Sequence, residues 1–202
     1  MTIPRLVLAS QSPRRAQLLR MLGLTFDIIP AAVDETYHAG EEPAAHARRL
    51  AREKAEWIAR VHPDAVVIGS DTVVVVDGDV LGKPVDAADA VRMLLRLQGR
   101  THLVATGIAV MRDGAARDDV ERVVVRFRPF DGAFAAAYVS TGEPMDKAGA
   151  YGIQGYGAAL VEAIEGDYFA VMGLPIARLI LLLQQIGLSY NFRGLARAED
   201  AS

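Results

Sequence analysis

The stretch Leu6-Val7-Leu8-Ala9-Ser10-Gln11-Ser12-Pro13-Arg14-Arg15 passes from an apolar run through a polar turn into a helix, and the rest of the chain repeats that alternation. Leu6 to Ala9 reads as a short buried strand. Ser12 is a good N-cap and Pro13 a good first helical residue, so a helix is predicted over Pro13 to Leu22, closed by Gly23. Arg14 and Arg15 then fall in its first turn. The free N–H groups there already carry the positive end of the helix dipole, and each cation costs a few tenths to about 1 kcal/mol. A polyphosphate would offset that by accepting hydrogen bonds from both serine hydroxyls, the backbone amides and both guanidinium forks. The competing reading is a solvated turn with its arginines pointing away.

Working outward, Phe26 to Ile29 reads as a second strand, and Asp34-Glu35 opens a polar loop. Pro43 to Val61 is a helix with a stripe at Leu50, Lys54, Ile58 and Val61, followed by the valine-rich run Ala65 to Val76. Asp77-Gly78 is a hairpin signal that returns the chain through Val80-Leu81. Asp86 caps a helix to Gln98, with Gly99 just beyond. Two strands flank Asp113-Gly114, the second alternating Val123, Val125 and Phe127 against Arg122, Val124 and Arg126. A short helix over Gly132 to Ser140 and a glycine-rich stretch from Ala148 to Gly157 lead to strands at Ala159 to Ile164 and Tyr168 to Val171. Pro175 starts a final helix, and the polar tail from about Ser189 is expected to fray. Strands alternating with helices across short links indicate the α/β class, with residues 1–188 as a single domain and 189–202 as a polar tail.

With 202 residues, 51% of them hydrophobic, the chain buries a sizeable core as one domain or two closely packed lobes. A formal charge of −3 argues against a general binder of nucleic acid or anionic membrane, so any phosphate site is local. The lack of cysteine removes disulfide and thiolate chemistry and sits easily with a reducing cytosol. Met1 to Ala9 is too short for a signal-peptide core, and Leu179 to Leu183 falls far short of the ~20 apolar residues a membrane span needs. A soluble cytoplasmic protein is the expectation.

Several residues break the local rules. Asp71 lies in Val66-Val67-Ile68-Gly69-Ser70-Asp71-Thr72-Val73-Val74-Val75-Val76, where an ionised carboxylate is costly without a cation, a metal or a raised pKa. Each resolution is also what a catalytic base would show; the alternative is that Asp71 ends a strand and caps a turn with Ser70. Glu35 is a second carboxylate that gains weight only beside Asp71. Lys54 sits on the apolar stripe of its helix, where an ammonium must snorkel, pair or meet a ligand. Gly78-Asp79-Val80-Leu81-Gly82-Lys83-Pro84 is one residue short of a P-loop and has proline where the magnesium-binding hydroxyl belongs. Lys83 remains a rigidly presented cation, suited to phosphate and equally to Asp71. Gly149, Gly152, Gly155 and Gly157 make no dinucleotide fingerprint, but they let backbone approach a ligand, and Gln154 among them has an amide able to read a base edge. His38, His46, His62 and His102 lack metal-ligand spacing, so an oxygen-ligated ion, Mg2+ or Mn2+, is expected rather than zinc.

The chain resembles the Maf-type nucleoside triphosphate pyrophosphatases, historically called septum formation inhibitors, over nearly all its length to about Gly187. The segments that carry the resemblance are Leu8 to Arg15, Leu50-Ala51-Arg52-Glu53-Lys54-Ala55, Gly69-Ser70-Asp71-Thr72, Gly82-Lys83-Pro84, Gly142 to Gly155 and Gly173-Leu174-Pro175. The string Asp146-Lys147-Ala148-Gly149-Ala150-Tyr151-Gly152-Ile153-Gln154-Gly155 is similar to the branch acting on dTTP and UTP, rather than the one preferring 7-methyl-GTP. Ser70 stands where alanine is common and Gln98 where serine is common, and neither alters a phosphate ligand or base. The resemblance implies a mixed, strongly twisted, elongated sheet flanked by helices, forming two lobes with a central cleft as in the ITPase-like fold. It also implies that Asp71 is the proton acceptor and that Arg14, Thr72 and Gln154 bear on substrate preference.

The physical reading agrees with it. Water attacks the α-phosphorus and pyrophosphate leaves, helped by positioning and charge neutralisation. Glu35 and Asp71 hold the divalent metal or the attacking water, and Ser10, Arg14, Arg15, Lys54 and Lys83 surround the triphosphate. The expected partner is a nucleoside triphosphate, canonical or a modified pyrimidine, with neither nucleic acid nor membrane; a homodimer is compatible with the sequence, which leaves the oligomeric state open. Two rival functions are a non-enzymatic regulator of cell division acting by protein binding, and a pyrophosphatase for non-standard purine triphosphates.

Overall fold

A computed structural model describes residues 5–197 of the chain. Along the sequence run β1 (Leu6–Leu8), α1 (Pro13–Met21), β2 (Asp27–Ile28), α2 (Pro43–Val61), β3 (Val66–Val76), β4 (Asp79–Leu81), α3 (Ala87–Leu97), β5 (Thr101–Arg112) and β6 (Ala115–Phe127). Then come α4 (Gly132–Val139), 3-10 turns over Glu143–Asp146, Ala148–Ala150 and Gly155–Leu160, β7 (Val161–Glu165), α5 (Tyr168–Met172), α6 (Ile176–Gln185), β8 (Leu188–Tyr190) and β9 (Leu195–Arg197). The strands hydrogen-bond in the order β2-β1-β3-β5-β6-β7, with β4 added to β3, and β8 pairs with β9 separately. β1 is parallel to both β2 and β3, whereas β3/β4 and β6/β7 are antiparallel, so the sheet is mixed and flanked by helices. Both hairpin signals are used as the sequence requires: Asp77 and Gly78 have φ of 55° and 83°, Asp113 and Gly114 of 49° and 77°, the paired left-handed residues whose twist matches that of the strands.

Two expectations are corrected. Tyr168 to Val171 is helical rather than extended, because Asp167 caps it: its Oδ1 accepts from the Phe169 amide at 2.8 Å and its carbonyl from the Ala170 amide at 3.1 Å. The segment expected to fray from Ser189 forms a hairpin instead, with Leu188 and Leu195 buried and the Tyr190 hydroxyl donating to the Leu22 carbonyl at 2.8 Å. The remainder of the expected tail, 198–202, lies outside the described residues.

The chain divides into two compact units, one of residues up to Asp71, Thr106–Glu121 and those from Gly173 on, the other of Thr72–Ala105 and Arg122–Met172. In the first, Val7, Ala9, Val67 and Ala109 on one face of the strands pack with Ala51, Ala55 and Ile58 of α2. In the second, Val123, Val125 and Phe127 pack with Leu94 and Leu97 of α3, Tyr138 of α4 and Tyr151, as the strict alternation of β6 demands.

His102 lies in that second core, edge-on to Phe127 and Tyr151, with Nε2 2.7 Å from the Tyr151 hydroxyl. Burial pulls its pKa down to about 4. The unfolded chain, with an ordinary histidine near 6.5, therefore takes up a proton before the folded chain does as pH falls. The stability His102 gives is complete above the unfolded value and declines from there to about pH 4, by up to about 1.4 kcal/mol per pH unit. Denaturant unfolding followed from pH 7 to 5 should show this slope, and His102→Gln, which keeps a partner for Tyr151, should flatten it by about 1 kcal/mol per unit.

Candidate active site

The site in the first unit begins with how closely a helix can lie on strands. The expected stripe of α2 is buried at Leu50, Lys54 and Ile58, with Val61 exposed, and Ala44, Ala47, Ala51 and Ala55 are buried beside it. The strands meet these alanines with glycine: a Cβ on Gly69 would drive into the Ala51 carbonyl oxygen, and one on Gly107 into that of Ala47. Alanine against glycine brings the α2 backbone onto β3 and β5. Lys54, one turn beyond Leu50, is thereby carried to strand level.

There Lys54 meets two carboxylates. Its Nζ lies 2.7 Å from Asp71 Oδ1 and 2.6 Å from Glu35 Oε1. β3 runs on through Asp71 to Val76, so Asp71 neither ends a strand nor caps a turn, and its cation is Lys54 rather than Lys83. The two halves of the bridge differ. The Lys54 and Asp71 side chains are only 10% and 14% exposed, while that of Glu35 is 62% exposed. Removing one partner of a buried pair costs roughly 3–5 kcal/mol, whereas an exposed pair is worth about 0–1 kcal/mol. Asp71–Lys54 is thus the fixed limb and Glu35 the exchangeable one.

The loop carrying Glu35 is organised by residues that sequence reasoning passed over. Asp34 Oδ1 accepts from the Thr36 amide and hydroxyl at 2.9 and 2.6 Å, and Arg49 donates to the Thr36 carbonyl at 3.1 Å and to both oxygens of Glu41. Those donors from Arg49 hold the Glu41 carboxyl far below the usual range. Tyr37 stacks on buried His46 with ring centroids 3.5 Å apart, and burial, reinforced by the charges of Asp71 and Glu41, raises its hydroxyl to about 12. The i, i+3 spacing of His46 and Arg49 on α2 was the available signal; their partner Glu41 is on the preceding loop.

At the start of α1, Ser12 caps as expected, accepting from the Arg15 amide. Arg15 departs from the expectation of two open guanidinium forks. Its Nε donates to the Gly173 carbonyl at 2.8 Å and its Nη1 to Ser10 Oγ at 3.0 Å. Burial lowers its pKa, Asp71 opposes this, Arg14 adds to it, and Glu35 again opposes it, so the first turn and the carboxylates share one electrostatic neighbourhood. Buried Ser10 also accepts from the Ser12 amide at 3.2 Å. With both lone pairs engaged, Ser10 has its proton left to offer, which suits an anion. Ser70, on the opposite face of β3 from Asp71, is fully buried and lies 2.9 Å from the same Gly173 carbonyl and 2.8 Å from that of Gly107.

The structure therefore brings Ser10, Arg14, Arg15, Glu35, Lys54 and Asp71 together in the first unit. Thr72, Lys83 and Gln154 belong to the second. Thr72 is partly buried as the next residue of β3. Lys83 is exposed, and the carbonyl before it, that of Gly82, accepts from the Gly149 amide at 3.0 Å, tying Lys83 to the glycine-rich stretch. Gln154 is partly buried in that stretch, whose backbone is held by Glu143, a residue to which the sequence reading gave no role.

Comparison with known proteins adds the lineage. A family model described as Maf-like protein matches residues 5–186. The dTTP/UTP pyrophosphatase of Symbiobacterium thermophilum is 50% identical over 183 residues, 91% of this chain and 94% of its own length. That of Moorella thermoacetica is 51% identical over 185 residues, covering 91% and 95%, and that of Koribacter versatilis 48% over 182 residues, covering 90% and 94%.

The close approach of α2 makes a prediction of its own. Gly69→Ala and Gly107→Ala should each lower unfolding free energy by at least about 2 kcal/mol, since the added methyl meets backbone rather than a flexible side-chain end. Gly82→Ala, with open space around its Cβ, should stay within about 0.5 kcal/mol of the parent in the same denaturant titration.

Proposed function

The chain belongs to the Maf-like protein family, and from that premise we propose that it is a nucleoside triphosphate pyrophosphatase hydrolysing dTTP and UTP to the monophosphate and pyrophosphate. The observation that carries the reading is the pair of carboxylates meeting at Lys54 beside a cationic first turn. This is the equipment that attack of water on a phosphoanhydride needs: a proton acceptor, and positive charge where negative charge develops.

In this reading Asp71 accepts the proton of the attacking water. Lys54 holds its Oδ1, which leaves Oδ2 to take the proton and fixes the direction it faces. Ser10, through its remaining proton, and the guanidinium groups of Arg14 and Arg15 bind the triphosphate, with Lys83 as a further cation. Binding an anion there relieves the repulsion between Arg14 and Arg15 at the positive end of α1. Gln154 pairs with the base: the O4 acceptor and N3–H donor of uracil and thymine suit its two-faced amide, whereas cytosine reverses both. Thr72, adjacent to Asp71, helps orient the nucleotide.

In this reading the protein side of a metal site is the two carboxylates that meet at Lys54, Glu35 and Asp71; among the described residues no group of three or more His, Cys, Asp or Glu side chains is placed to hold a metal ion. Two hard oxygen donors fit Mg2+ or Mn2+, ions that take only one or two carboxylates and complete their shell with phosphate oxygens and water. Held there, a divalent cation would neutralise phosphate charge and polarise the α-phosphoryl group.

Pyrophosphate release from a panel of dTTP, UTP, dCTP and a non-standard purine triphosphate tests the reading, with dTTP and UTP expected to lead. Asp71→Asn should lose at least about a hundredfold in kcat while the folded protein still binds nucleotide, because an amide of the same shape accepts no proton. Near-parental turnover in that variant would remove Asp71 from the role. Excess EDTA should abolish activity and Mg2+ or Mn2+ restore it; full turnover in protein verified free of metal would remove the cation.

A further inference from the structure

The Gln154 loop is built around a single carboxylate. Glu143, in the 3-10 turn Glu143–Asp146, accepts at Oε1 from the Gly157 amide at 3.0 Å and the Tyr138 hydroxyl at 2.8 Å, and at Oε2 from the Tyr156 amide at 2.9 Å. The Tyr138 oxygen in turn accepts from the Gly152 amide at 3.2 Å. The backbone on both sides of Gln154, at positions 152, 156 and 157, is thus referred to one acidic group. Gly155, next to Gln154, has φ of 66°, and a Cβ there would collide with the Glu143 carboxylate; one on Gly157 would collide with the Gly152 carbonyl. The glycines do not make this segment loose. They let it close on Glu143.

From this geometry we infer that Glu143 is a positioning residue for base selection: its carboxylate sets the backbone of residues 152–157 and so the direction of the Gln154 side chain. The inference rests on the reading in which Gln154 pairs with the base. Three donors converging on a partly buried carboxylate are more than a cap needs, and they are charge-assisted, each worth roughly twice a neutral hydrogen bond. Burial alone would raise the Glu143 carboxyl, but the amides of Gly157 and Tyr156 and the Tyr138 hydroxyl outweigh it and hold it below its ordinary value. The 3-10 turn is secured too, since Lys147 donates to the Glu143 carbonyl and lies 2.7 Å from Asp146 Oδ1.

The test is kcat/KM for dTTP, UTP and dCTP in the full-length parent, Glu143→Gln, Gln154→Ala and the double variant. In Glu143→Gln an amide NH2 or a single carbonyl replaces an acceptor of three hydrogen bonds, so the loop loses its register. Preference for dTTP over dCTP should narrow by about tenfold, the worth of one net hydrogen bond to the base, and the double variant should narrow no further than Gln154→Ala alone. Turnover of dCTP should change little, which a general loss of structure would not reproduce. A parental ratio in Glu143→Gln, with Gln154→Ala narrowed, overturns the role of Glu143 and leaves base reading by Gln154 standing. A parental ratio in Gln154→Ala overturns the base reading and this inference with it. Should Glu143→Gln not fold, Tyr138→Phe, which removes only the hydroxyl linking Glu143 to the Gly152 amide, is held to the same outcomes with a smaller shift.

Discussion

The separation between α2 and the strands beneath it is the constraint on which the first unit depends. Two glycines, Gly69 on β3 and Gly107 on β5, receive the backbone of a helix face made of alanines. Without that approach an ammonium on α2 would stop short of Asp71. Lys54 would then have to snorkel to solvent, and Asp71 would be a buried carboxylate without a counter-charge, a state proteins avoid by displacing or neutralising the group. Small side chains here are therefore part of the electrostatics as much as of the packing. They allow a carboxylate to remain in a valine-rich strand.

A second consequence concerns Arg15. Its position in a first helical turn is unfavourable by the dipole alone, and Arg14 beside it adds to the repulsion. The fold offsets this from below, through the Gly173 carbonyl and Ser10, and at longer range through Asp71 and Glu35. The Gly173 carbonyl is itself within hydrogen-bond distance of Ser70, one residue from Asp71 in β3, so the strand that carries the carboxylate also helps set the arginine. The two charges are referred to one rigid element. That is the precision a phosphoryl-transfer site needs, since its barrier is lowered by placement rather than by covalent chemistry.

Much of this was legible in the chain because the signals were local. The α2 limits, Pro43 and Val61, follow from a proline at the helix start and a continuous helical pattern, and both type I′ turns follow from Asp-Gly pairs. Asp71 and Lys54 stood out because each violates the burial rule for its position, and the structure resolves both violations by pairing them. The illegible parts depend on distant residues. The helix at Tyr168 is a local exception, since Asp167 directly before it is a capping signal outweighed by aromatic and β-branched residues that suggest a strand. Nothing near Arg15 says that the Gly173 carbonyl, 158 residues away, will take its Nε. Glu143 was hidden for a different reason: an acidic residue before a proline reads as solvated surface, and only the folded loop shows that three donors close on it.

The Lys54 bridge is asymmetric, with Asp71 largely buried and Glu35 exposed. In the proposed reading, a triphosphate at the first unit would compete for Lys54 against the weaker of its two partners. That partner is Glu35, whose exposed carboxylate is already well solvated and whose loss from the ammonium costs little. Asp71 is held through the exchange, because parting it from Lys54 would leave a charge uncompensated in a strand with buried neighbours. The Asp34–Thr36 turn and the hold of Arg49 on Thr36 fix the backbone on either side of Glu35, so in the proposed reading its carboxylate would stay near enough to meet a divalent cation accompanying the phosphates. One lysine would thus keep the proposed proton acceptor in position while allowing the second carboxylate to change partners, a division of roles that follows from the difference in burial.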